Sequence, residues 1–215
     1  MKSLDLTIEN KIAHVQFNRP AELNTMNRDF WLEFPKVIGQ INADASARVI
    51  VLFSTGKHFC AGMELGVFSD PNLLRHDADL GRKQENVRHV VTWLQEAFNK
   101  LETARMPVLA AVQGGCIGGA VDMVSACDSR YCTEDAFFCI EETKIGMTAD
   151  LCKLQRLPHL IPQGLMRELA YTGRRLPAAE AKECGLVNRI ILIKRRCCPV
   201  SWRLLPRLQP ARLWR

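Results

Sequence analysis

The chain has 215 residues, 47% of them hydrophobic, and a formal net charge of +6. That length and apolar content suffice for one sizeable core, and nothing suggests a linker between domains. The charge is lopsided: residues 191–215 carry seven Lys/Arg and no Asp/Glu, so residues 1–190 hold 22 basic and 23 acidic side chains and give no support for nucleic-acid binding. In chain order, Leu4–Glu9 and Ile12–Phe17 alternate apolar and polar around Asn10-Lys11, a hairpin signal that ends at Asn18-Arg19-Pro20. Asn27 then caps a helical pattern to about Ile41, in which Pro35 predicts a kink. Val49–Phe53 is a continuous apolar run, as in a strand buried on both faces. The turn Phe59–Leu65 and a polar loop, Ser69–Gly81, precede a helix of roughly 20 residues to about Thr103, with Val87, Val90, Val91 and Leu94 on its apolar side.

Pro107 resets the chain into the stretch that carries the chemistry. Val108–Val112 is a buried-strand pattern, followed by the glycine pairs Gly114-Gly115 and Gly118-Gly119 and a helix-compatible segment, Ala120–Ala126. A glycine turn feeding a helix leaves backbone N–H groups unpaired at the positive end of the helix dipole, as an oxyanion hole requires. Three acids, Asp122, Glu142 and Asp150, stand in apolar surroundings, where a carboxylate is costly unless paired or used. Further on, Arg130–Cys132 and Ala136–Ile140 read as short strands. Gln163–Thr172 and Pro177–Cys184 read as helices, the second starting at Pro177 and stopping at Gly185, and Leu186–Ile190 as a last strand. Beyond Ile190 the sequence loses helical period. Two of the four tryptophans and three of the ten prolines fall in its last 25 residues.

Nine cysteines in so long a chain are too irregularly spaced for a disulfide framework. Cys116, Cys127 and Cys139 lie in apolar runs, where a free thiol acts as a small hydrophobe, so a reducing compartment is expected. Met1–Asp5 has no apolar signal core, no run reaches membrane-spanning length, and Leu213-Trp214-Arg215 is no peroxisomal address. A cytoplasmic protein without a membrane span is the expectation. No metal constellation is visible in the spacing of ligand-type residues.

Two motifs resemble the crotonase (enoyl-CoA hydratase/isomerase) superfamily. One is Phe59-Cys60-Ala61-Gly62-Met63-Glu64-Leu65 after a strand; the other, about 55 residues later, is Gly118-Gly119-Ala120-Val121-Asp122 after Ala110-Ala111-Val112. Asp rather than Glu at 122, and Thr148-Ala149-Asp150 ahead of Leu154-Gln155-Arg156-Leu157-Pro158, are similar to the Δ3,5-Δ2,4-dienoyl-CoA isomerase branch. The resemblance runs from about Leu4 to Ile190. It implies an α/β fold, a spiral of β-β-α turns, over residues 1–190, with the C-terminal helical region truncated or replaced by an atypical basic tail at 191–215, for which disorder and a frameshifted end stay open. It implies an acyl-CoA thioester as substrate, coenzyme A being part of that substrate and no separate cofactor being needed, and self-association as a trimer or hexamer.

By motif position the resemblance places the oxyanion donors at the N–H groups of Met63 and Gly119, and the substrate along Ala61, Gly62, Met63, Glu64, Leu65 and Gly119. It gives Glu142 the role of base at C2, Asp122 that of the acid at C6, and Asp150 that of holding or tuning the pair. The implied reaction moves double bonds from 3,5 to 2,4; a 2-enoyl-CoA hydratase and a non-catalytic crotonase-fold protein are the alternatives. Residue by residue, rival readings stay open. Asp122 can be a buried paired acid, Glu141 can replace Glu142, and Asp150 can be an exposed helix cap. Lys57 and His58 either meet CoA phosphates or belong to a solvated loop, His14 is structural, and Arg156 packs or pairs.

Overall fold

The structure, a computed structural model, describes residues 1–71, 73 and 79–191. The basic tail expected after Ile190 lies outside the described residues apart from Ile191. Leu4–Glu9 (β1) and Ile12–Phe17 (β2) pair antiparallel from Leu4↔Phe17 to Glu9↔Ile12. Asn10 and Lys11 between them both have positive φ, 50° and 65°, the conformation a two-residue hairpin turn needs to follow the strands' twist.

Arg28–Asp44 (α1) begins where Asn27 accepts the N–H of Phe30 at 2.9 Å, satisfying one of the helix's unpaired donors, and it continues through Pro35 past the expected end at Ile41. Its buried stripe carries Phe30, Trp31, Phe34, Val37, Ile38 and Ile41. The aromatic residues interlock: Phe30 stacks on Phe34 at 5.0 Å, and Trp31 reaches Phe98 at 5.3 Å. Phe98 belongs to Leu80–Glu102 (α2), which buries Leu94, Ala97, Phe98 and Leu101.

Val49–Ser54 (β3), Val108–Val112 (β4), Ser129–Thr133 (β6) and Arg189–Ile191 (β9) complete a six-stranded sheet in the order β1-β2-β3-β4-β6-β9. Every pairing after the hairpin is parallel, and every residue of β3 and β4 is buried, as a sheet covered on both faces demands. A second, three-stranded sheet joins Gly115–Ile117 (β5), Phe137–Cys139 (β7) and Arg175–Pro177 (β8). The remaining helices are Gly119–Ser125 (α3), Lys153–Arg156 (α4), Gln163–Thr172 (α5) and Ala178–Glu183 (α6).

Gly115 opens β5, in which Cys116 pairs with Phe138 of the neighbouring strand. Two expectations are corrected. Pro177 ends β8 and precedes α6 with extended φ and ψ, so the last helix starts one residue later than expected. The last strand starts at Arg189 rather than Leu186, since Leu186 and Val187 are buried in the main core ahead of it.

Candidate active site

The two glycine turns meet edge to edge. Cys60 and Cys116 form a parallel bridge, with the Ile117 N–H donating to the Cys60 carbonyl at 3.1 Å. Gly62 sits at φ +91°, and a Cβ there would come within 2.9 Å of the Ile117 carbonyl oxygen, so glycine lets the two backbones touch. Met63 forms a second bridge with Met26, carried by Met26 N–H to Gly62 O at 2.8 Å and Glu64 N–H to Met26 O at 3.1 Å. In a parallel bridge of this kind, the bonds to the partner come from the flanking residues, so Met63's own N–H faces away from Met26. Gly119 is the first residue of α3, where an N–H has no partner within its helix. Both expected donors therefore sit on adjacent turns.

Beside them opens a cavity of about 780 Å³. The Ala61–Phe68 turn, Ile117–Gly119, and Val87, Val90, Val91 and Leu94 of α2 form its largely apolar wall. Glu142 and Asp150 both face it; Asp122 does not. A 3-10 turn, Glu142–Ile145, positions Glu142, and the Met147 N–H closes that turn onto the Glu142 carbonyl at 2.8 Å. The Asp150 carbonyl accepts from Gln95 of α2 at 2.6 Å, which fastens the loop against the apolar wall. Burial, then the nearby Glu142 charge, pushes the Asp150 carboxyl above the ordinary aspartate value. Asp150 is not an N-cap; Cys152 holds that position for α4, at φ +77° and without a capping side-chain bond.

Asp122 lies beneath this floor. Its side chain has 0% exposure, as does that of Lys153, whose ammonium stands 2.9 Å from Asp122 Oδ2. The Lys153 backbone N–H donates to Asp122 Oδ1 at 2.7 Å. Burial drives the Asp122 carboxyl up to about 6, against the pull of Lys153. Lys153 Nζ also bonds Glu142 Oε1 and, at 2.9 Å, the Gly118 carbonyl. Burial works against this ammonium too, but Asp122 and Glu142 outweigh it and hold it above the usual lysine range.

The paired-acid reading of Asp122 is thus the one its geometry supports. Glu141 also faces the cavity, yet Lys144 at 3.1 Å and the Cys139 thiol engage its carboxylate. Glu64 pairs with Arg19 at 2.9 Å, while Leu65 is 68% exposed. Lys57 and His58 lie in the partly exposed loop after β3, as one reading had it, and His58 Nδ1 accepts the Gly115 N–H there at 2.8 Å and so braces β5. Arg156 pairs with Glu102 at 2.9 Å and donates to Asn99 at 2.7 Å, as a structural arginine would. Sequence reasoning missed Lys153. Its signal was indirect: a buried Asp122 needs a cation, and Lys153 stands between Cys152 and Leu154 in an apolar context.

The sequence model of the enoyl-CoA hydratase/isomerase family matches residues 7–193. The chain belongs to that family. It is 41% identical over 193 residues to the peroxisomal Δ(3,5)-Δ(2,4)-dienoyl-CoA isomerase of Arabidopsis thaliana, covering 88% of this chain and 69% of that one. It is 44% identical over 191 residues to the mitochondrial Δ(3,5)-Δ(2,4)-dienoyl-CoA isomerase of Homo sapiens, with 88% of this chain covered and 58% of the human protein. The crystal structure of the enoyl-CoA hydratase from Bacillus anthracis aligns at a TM-score of 0.77 with 31% identity, over 88% of this chain and 70% of that one. The α/β architecture is therefore the crotonase fold, and this chain spans somewhat over half the length of the human relative. Among the described residues no helix is long and apolar enough to cross a membrane.

Proposed function

We propose that the chain isomerises 3,5-dienoyl-CoA to 2,4-dienoyl-CoA. The observation that carries this reading is the pairing of two carboxyl groups, Glu142 and Asp150, on one apolar cavity whose floor presents the Met63 and Gly119 N–H groups. The thioester oxygen sits between those two donors, each typically worth about 3 kcal/mol in the transition state. Polarised there, the thioester acidifies C2, and Glu142 removes the C2 proton as general base. The electron pair delocalises through C2–C6 as a dienolate. A proton delivered at C6 then leaves double bonds at C2 and C4, so one proton is taken and one returned.

Asp150 rather than Asp122 is the proposed donor at C6. Asp150 faces the cavity and is pushed toward its protonated form, whereas Asp122 is sealed off by Lys153. Asp122 then holds charge rather than exchanging protons with substrate. Similarity to relatives named dienoyl-CoA isomerases supports the same reaction. Self-association as a trimer or hexamer and a reducing compartment are proposed alongside it. The seven free cysteines among the described residues fit the second, and a solution mass tests the first.

Incubation with a 3,5-dienoyl-CoA should yield the conjugated 2,4-product, read by its ultraviolet absorbance. Crotonyl-CoA should be hydrated slowly, because the position where hydratases carry a glutamate to hold water holds the shorter Asp122 here, and it does not line the cavity. Hydration as fast as isomerisation would favour a 2-enoyl-CoA hydratase instead.

A further inference from the structure

We propose that Lys153 is a positioning residue of this site, tying the base to the oxyanion turn: its ammonium fixes one oxygen of Glu142 and at the same time holds the Gly118–Gly119 peptide. The inference rests on the isomerase reading for the role of Glu142. A lysine is almost never fully buried unless paired, and this one has 0% side-chain exposure. Its ammonium donates to two acceptors, Glu142 Oε1 and the Gly118 carbonyl, and stands in ion-pair contact with Asp122 Oδ2 at 2.9 Å. Asp122 accepts the Lys153 backbone N–H through Oδ1 and faces its ammonium through Oδ2, and so pins Lys153 at both ends.

Two consequences follow for the chemistry. Glu142 Oε1 is occupied, while the buried Oε2 has no hydrogen-bond partner, so the ammonium makes the two oxygens of the base unequal and fixes the carboxylate's orientation. The Gly118 carbonyl and the Gly119 N–H belong to a single planar peptide. An ammonium on the carbonyl both orients that plane and polarises it, strengthening the N–H as a donor. One cation thereby serves base and oxyanion hole together.

The charged and titratable groups around Glu142 are Lys153 from α4, Asp122 from α3 and Asp150 from the intervening loop, with the buried Cys116 thiol of β5 beside Lys153 and Asp122. Without Lys153, Glu142 and the Gly118 carbonyl both lose the cation that orients them. Lys153→Met should lower kcat at least about 100-fold with KM changed about threefold or less.

Because Lys153→Met strands the Asp122 carboxylate and can unfold the chain, Asp122→Asn/Lys153→Met is the second variant, which removes both buried charges. Its kcat should stay impaired, because Glu142 and the Gly118 carbonyl still lack their shared ammonium; a parent-like kcat in a folded double variant would overturn the proposal and leave Lys153 a purely structural counter-ion. A readout without turnover separates this from the reaction assignment. Infrared difference spectra against the matching Glu142→Gln chains should show the Glu142 carboxylate stretching bands shifted in frequency once Lys153 is replaced, because Oε1 loses its charged donor. An active parent with no such shift sinks the Lys153 inference alone. A parent silent toward 3,5-dienoyl-CoA but showing the shift sinks the isomerase reading alone.

Discussion

At the floor of the cavity, α3 and α4 seal Asp122 against Lys153 with neither side chain exposed; at the rim, the loop before α4 leaves Asp150 facing the cavity. Both carboxyls are pushed above the ordinary aspartate value by burial, yet with different outcomes. Asp122 has a cation in contact and ionises above about 6, so near neutral pH it is a fixed charge. Asp150 has space in front of it and no ion pair among the described residues, so its proton can leave and return. The apolar setting that identifies an unusual acid does not say which task it performs; access to the cavity does.

The largest expected effect lies at the rim. Glu142→Gln should lower isomerisation by about 10²–10⁴-fold while leaving CoA-ester binding near parent affinity, because base and oxyanion donors are separate groups. Loss of activity in Glu141→Gln with Glu142→Gln active would move the base by one residue and break the comparison.

Gly62→Ala tests the floor's backbone. Its Cβ would sit 2.9 Å from the Ile117 carbonyl oxygen at a φ of +91°. The variant should melt lower by about 1–3 kcal/mol and lose about 10²–10³-fold in kcat as the two turns part. Parent-like kcat would show that their contact does not set the donors.

A smaller effect separates the two aspartates by pH. The folded Asp122 carboxyl is raised to about 6, above its unfolded value, so its contribution to stability is full below about pH 4 and is lost as pH rises through about 6. Asp122→Asn has no such loss. Denaturant unfolding should therefore shift in favour of the variant, relative to the parent, by about 1–3 kcal/mol between pH 4 and 7. A constant difference would mean that Asp122 is not raised.

The smallest effect concerns Cys152, held at φ +77° immediately before Lys153. Cys152→Gly removes the left-handed strain at the cost of unfolded-state entropy, a net stabilisation of about 1 kcal/mol or less by thermal melting.

Most of the fold was legible because its signals are local and periodic. The hairpin registers on Asn10-Lys11, Asn27 caps α1, and β4 and α5 have the bounds that their patterns suggest. The strand β5 was not legible, since Gly115-Cys116-Ile117 has no alternation to read and exists through its pairing with β7, over 20 residues away. The oxyanion turns and the three acids were visible in composition and spacing. The order of the acids around the cavity was not, because it depends on Lys153, which in the run Cys152-Lys153-Leu154-Gln155 looks like any surface lysine on a short helix.

The most direct test of the account compares two isosteric variants at one pH. Turnover of 3,5-dienoyl-CoA to the 2,4-product should fall about 100-fold or more in Asp150→Asn, which removes the proposed proton donor at C6, and only about tenfold or less in Asp122→Asn, where Lys153 still holds Glu142. The reverse order, with Asp122→Asn inactive and Asp150→Asn close to the parent, would contradict it.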